Sequence, residues 1–133
     1  MKLKNALVAD QAKDAATAGT EMVAAFASFD KTSLTADQSK TYIEIHDSAK
    51  EHAEHIEANA TNIVHQREHF DMLSKDFYDL VKLLGANQTL YVEYCPMYNN
   101  DKGASWLSTE KEIKNPYFGG SMLTCGSVKE ELK

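Results

Sequence analysis

A chain of 133 residues fits one domain and can bury a working hydrophobic core without staples. Its net charge of -6, with no two Lys or Arg adjacent, argues against nucleic acid and against an anionic membrane surface as partners. No apolar stretch approaches the roughly 18 residues of a membrane-spanning helix.

Lysines and a short apolar patch, Ala6–Ala9, open the chain. The patch is too short for the apolar centre of a signal peptide, so sequence alone assigns no compartment. Leu3 and Leu7 suggest the tail of a helix before Asp10. Asp10 is the expected N-cap of a helix through about Phe29, with Ala12, Ala15, Gly19, Met22, Phe26 and Phe29 as its apolar seam. That seam is small at its start, so a neighbouring helix can approach closely near Ala15 and Gly19. Asp30–Leu34 is a polar connection. Thr35 caps the next helix, to about Asn59, with Tyr42, Ile45, Ala49, His52 and Ile56 inward. Ala58–Asn62 interrupts it. Asn62 then caps a third long helix along Ile63, Gln66, Phe70, Leu73, Phe77, Leu80 and Leu84, and Gly85 stops it. Short connections between apolar-striped helices imply antiparallel neighbours.

From Gly85 onward come both prolines, five of the six glycines, the single Trp and both cysteines, and helical periodicity ends. Thr89–Tyr94 reads as a short strand, Asn99–Gly103 as a turn, and Trp106-Leu107-Ser108 is apolar again. Asn115–Gly120 is a second turn, and Val128–Leu132 can close with a helical turn. The expected fold is mainly α: an antiparallel up-down bundle of three to four helices with a loop-rich C-terminal cap containing short β segments. One domain, 1–133, comprises the bundle at 1–85 and the cap at 86–133.

Two groups of residues carry chemistry. The first is Cys95-Pro96-Met97 with Met122-Leu123-Thr124-Cys125-Gly126. Each half sets a thiol and a thioether two or three residues apart, and soft sulfur ligands select Cu(I) and related ions. Trp106 lies between the halves and can shield an ion. The plain alternative is a Cys95–Cys125 disulfide, or buried thiols, with two methionines as core filler.

The second group is histidine. All five fall between positions 46 and 69, on two helices joined near Ala60. An antiparallel hairpin centred there sets His55 level with His65 and His52 level with His69. Four imidazoles at one end can bind Zn(II), Cu(II) or Ni(II). Otherwise they are a solvated helix face, flanked by Glu51, Glu54, Glu57 and Glu68, with His52 a hydrogen-bonded seam residue. A third helix of roughly 33 Å and an extended return of similar length can bring Cys95 back to the histidine end.

No phosphate-cradling glycine loop, H-E-x-x-H, G-x-S-x-G, Glu-x-x-His or C-x-x-C occurs, so nothing points to an enzyme. A non-metal ligand held between Trp106, Tyr117 and Phe118 is a further alternative.

The tail string Tyr94-Cys95-Pro96-Met97, Gly103, Trp106-Leu107-Ser108, Ile113 to Gly119 and Met122-Leu123-Thr124-Cys125-Gly126 resembles an uncharacterised domain family. That family occurs alone and attached to CusB-type periplasmic adaptors of copper and silver efflux systems. Leu3 to Asp10 and Gln66-Arg67-Glu68-His69-Phe70 with Leu73-Ser74 resemble its helices. The resemblance implies an exported, periplasmic setting and heavy-metal handling, with Met1 falling inside the family's first helix as in an exported product without its leader. It carries Cys95, Met97, Met122 and Cys125 over as ligands of Cu(I) or Ag(I). It makes Asn115, Pro116, Tyr117 and Gly119 the turn that shapes the site. The function expected is capture of a soft metal or its delivery to an efflux adaptor or other envelope protein. The alternative is a non-catalytic interaction module held by a Cys95–Cys125 disulfide.

Overall fold

Four helices precede three strands in the computed structural model, which describes residues 1–132. The helices are α1 (Lys2–Val8), α2 (Ala12–Ser28), α3 (Ala36–Ala58) and α4 (Ile63–Leu84). They pack in chain order, α1 on α2, α2 on α3 and α3 on α4. Among the described residues no helix is long and apolar enough to cross a membrane.

Local chemistry sets the ends of the two long helices. The Thr35 side chain accepts from the Gln38 N–H while the Gln38 side chain accepts from the Thr35 N–H, closing a capping box. Asn62 accepts from the His65 N–H and fixes where α4 begins. Gly85, at φ 80°, ends it. Thr35→Ala is expected to cost about 1 kcal/mol, read as a lower urea midpoint with an unchanged slope.

Asp10 departs from the expected cap. It sits at φ 58° in the bend between α1 and α2, and Gln11 occupies the N-cap of α2 without a side-chain bond. Its carboxylate reaches across to other elements instead, as described below. Gly19 lies where close approach was expected: a Cβ there meets the Ala53 carbonyl oxygen at 2.9 Å, so α2 and α3 touch backbone to backbone.

The cap is a three-stranded antiparallel sheet, order β2-β1-β3, with β1 at Leu90–Cys95, β2 at Ala104–Ser108 and β3 at Ser127–Leu132. The closing helical turn expected at Val128–Leu132 is therefore β3. A helix that short has no stability of its own, whereas pairing with the free edge of β1 satisfies its backbone groups. The turn Tyr98–Asp101 joins β1 to β2 with left-handed φ at Asn99, Asn100 and Asp101.

One core joins the two parts: Leu3, Leu7, Ala49, Ile56, Phe70 and Leu73 from the helices meet Cys95, Ala104, Trp106 and Tyr117 from the cap. A smaller cluster, Leu90, Val92 and Leu132 with Tyr78 and Val81, pins the far end of the sheet to the C-terminal half of α4. Of the three strands, β2 packs most extensively on α4.

Candidate metal centre

The α3–α4 hairpin has the register that places the histidines level. His52 Nδ1 lies 2.9 Å from His69 Nδ1, and His69 Nε2 lies 3.1 Å from His65 Nε2. His55 stacks on His69, ring centroids 4.3 Å apart and planes 8° from parallel, closer than it comes to His65 at 6.3 Å. Ligand nitrogens of His55, His65 and His69 all fall within 4.8 Å of one another. The fifth histidine, His46, stays apart, packed against Phe26 and Tyr42.

A neutral imidazole has one donor and one acceptor nitrogen, so these contacts couple the tautomers of the rings. His65 Nδ1 faces the Glu68 carboxylate at 3.3 Å. His69 touches His52 through Nδ1 and His65 through Nε2, so its single proton donates to one of them and its lone pair accepts from the other. Two nitrogens ligating one tetrahedral ion at about 2.05 Å are roughly 3.4 Å apart, so the present spacing is near the ligand spacing. His52 lies outside this group of three and touches it through His69. Burial, reinforced by the neighbouring His55, His52 and His65, pushes the His69 imidazole down to about 4, and Glu68 opposes this. His69 is therefore neutral and free to ligate across the ordinary pH range. Glu68 is the residue that sequence reading used only as a mark of a polar face; its spacing three residues after His65 was the available signal.

The sulfur residues converge in part. Cys95, buried at the end of β1, and Cys125, half-buried after the cap loop, bring their Sγ atoms to 3.0 Å. A tetrahedral ion at about 2.3 Å from each sulfur holds them roughly 3.8 Å apart. Met97 follows Cys95 with a side chain 48% exposed, and Met122 caps the 3₁₀ turn Gly119–Ser121 half-buried.

The residues expected to shape that site hold the cap to the helices. Asn115 Nδ2 donates to the Cys125 carbonyl at 2.8 Å, and its Oδ1 accepts from the N–H groups of Tyr117 and Phe118. Pro116 offers its carbonyl to Arg67 Nε at 2.8 Å, and Arg67 Nη2 reaches both the Leu7 carbonyl and Asp10 Oδ1. Asp10 Oδ2 accepts from the Gly120 N–H. Arg67 and that N–H hold the Asp10 carboxyl below its usual range. Gly119, at φ 55°, is required there, since a Cβ meets Asp10 and Arg67. The buried Tyr117 hydroxyl donates to the Ser105 carbonyl at 2.6 Å.

These contacts settle where the two groups lie. Arg67 and Ser74 face the cap from α4, while His65 and His69 face α3. The return strand brings the sulfurs to the cap side of α4, and the imidazoles stand on the opposite side.

Trp106 and Glu93 are opposed across β1 and β2, both buried, with the indole N–H donating to Glu93 Oε1 at 2.9 Å and Oε2 unpartnered. Burial raises the Glu93 carboxyl to about 7 against an ordinary 4.5, and the Trp106 bond and the Lys4 charge only partly offset it. The folded state therefore holds a proton that the unfolded chain has released between pH 4.5 and 7. Stability is full below that window and falls as pH rises through it, by on the order of 3 kcal/mol. Glu93→Gln is expected to flatten this slope in urea denaturation series from pH 4 to 8.

Comparison with known protein families matches residues 1–89 to a family described as a protein of unknown function (DUF3347). No curated protein and no solved structure matches. The matched stretch contains all five histidines and ends before β1, so the two cysteines lie outside it.

Proposed function

The chain belongs to the DUF3347 family, whose function is unknown, and from that premise we propose that it is a metal-binding domain holding one Zn(II), Cu(II) or Ni(II) ion between His55, His65 and His69. The observation that carries this reading is the approach of His65 Nε2 and His69 Nε2 to 3.1 Å, with the His55 ring stacked beside them. Imidazole nitrogens suit these borderline ions, and His52 and Glu68 set the ring orientations from outside. The position beside the turn that joins α3 to α4, with His55 exposed, leaves room for a solvent or donor ligand from a partner.

A softer site at Cys95, Met97, Met122 and Cys125 is a second proposal, favoured by the approach of the two thiols to 3.0 Å. Cu(I) or Ag(I) is its expected occupant. The resemblance of the tail to domains attached to efflux adaptors supports a setting in the cell envelope. There the chain serves capture of metal or its transfer to an adaptor or other envelope protein.

Titration of the purified chain with each divalent ion against a competing chelator at pH 7.5 tests the histidine centre. One ion per chain is expected. Unchanged stoichiometry and affinity when His55, His65 and His69 are all alanine overturns it.

A further inference from the structure

We propose that Cys95 and Cys125 form a reversible thiol–disulfide pair that exchanges two electrons with small-molecule disulfides of the glutathione class. Though 29 residues separate them in the chain, their Sγ atoms stand 3.0 Å apart, about 1 Å longer than a disulfide bond. Both are held there by their surroundings. Cys95 is fixed by β1, the central strand of the sheet. Cys125 is fixed by the Asn115 amide on its carbonyl, while Asn115 N–H donates to the Leu123 carbonyl at 2.7 Å and anchors the same loop.

The two thiols differ in access, and this gives the exchange an order. Cys95 is fully buried; Cys125 is partly exposed. The Cys125 thiolate attacks one sulfur of the external disulfide, and a thiolate leaves with the electron pair of the broken S–S bond. A mixed disulfide remains on Cys125. Cys95, as thiolate, then attacks the Cys125 sulfur and expels the second external thiolate. In sum, two protein thiols give up two hydrogens and join, and one external disulfide becomes two thiols. An excess of the external thiol runs the same steps backward. The pair works without metal, so it stands or falls separately from the histidine centre.

The test incubates the full-length chain, with chelator present, in buffers of stepped glutathione disulfide to glutathione ratio. Alkylation then quenches exchange, and intact mass counts the free thiols. Both thiols are expected to vanish together, as a monomer, and to return on shifting the ratio back. Cys95→Ser is expected to collect a stable glutathione adduct on Cys125, and Cys125→Ser at least about tenfold less on buried Cys95. Two alkylated thiols at every ratio, disulfide-linked dimers as the main product, or equal adduct on the two variants overturns the proposal. The unsubstituted chain alone decides the pairing, so a variant that fails to fold leaves the test intact.

Discussion

His69→Ala is expected to weaken binding of Zn(II) or Cu(II) by about a hundredfold or more while leaving the helical circular dichroism of the chain unchanged. The expected size follows from geometry. Outer-sphere substitutions in metal proteins cost roughly 10–100-fold, and in the proposed site His69 is at once a ligand and the ring that His52 touches. Glu68→Gln, which removes the carboxylate charge beside His65 Nδ1, is expected to cost about tenfold or somewhat more. His46→Ala, away from the cluster, leaves affinity as it was. Half-buried and at the edge of the hairpin, His69 contributes little to the core, so folding survives its loss. Bound metal also stabilises the fold: an ion at a hundred times its dissociation constant adds about 2.7 kcal/mol, and the thermal midpoint rises accordingly in the parent but not in His69→Ala. Affinity in His69→Ala equal to that of the parent removes the histidine centre from consideration.

Trp106→Ala lowers the free energy of unfolding by about 3–5 kcal/mol, the range for deleting a buried aromatic ring. Trp106 is 1% exposed and belongs to the core that fuses the cap to α1 and α4. Two losses add. A cavity opens beside Tyr117 in the shared core, whose walls come from several elements and collapse only in part. The buried Glu93 carboxyl also loses its indole donor, leaving both oxygens without a partner. Trp106→Phe fills most of the space and lacks the N–H, so a smaller loss of about 1–3 kcal/mol is expected. Urea denaturation at pH 5, where Glu93 is protonated in the fold, separates the packing part from the electrostatic part. A loss under 1 kcal/mol for Trp106→Ala contradicts the shared core.

The helices were legible from sequence because their determinants lie within one or two turns. Thr35 with Gln38, Asn62 with the third residue of its helix and Gly85 at a positive φ act on neighbours in the chain, and their spacing states their role. The level placement of His52 with His69 was legible for a related reason: a short connection between two helices fixes an antiparallel register. Which ring stacks on which was not, because His55 reaches His69 rather than His65 through side-chain rotation that the numbering does not encode.

Asp10 shows the opposite case. Its residue type and place suit a helix cap, yet Arg67 and the Gly120 N–H, 57 and 110 residues distant, offer its carboxylate stronger partners. Val128–Leu132 becomes a strand because β1 has an edge to fill, a condition set by residues some forty positions earlier. The composition and periodicity of this protein determined a striped, antiparallel helical hairpin carrying its imidazoles at one end. The tertiary structure alone decided that the two thiols meet, that Asn115 and Arg67 bind the cap to the helices, and that sulfurs and imidazoles stand on opposite sides of α4. Periodicity reports forces between near neighbours in the chain, whereas these placements depend on strand pairing and buried hydrogen bonds between segments that only the folded core brings together.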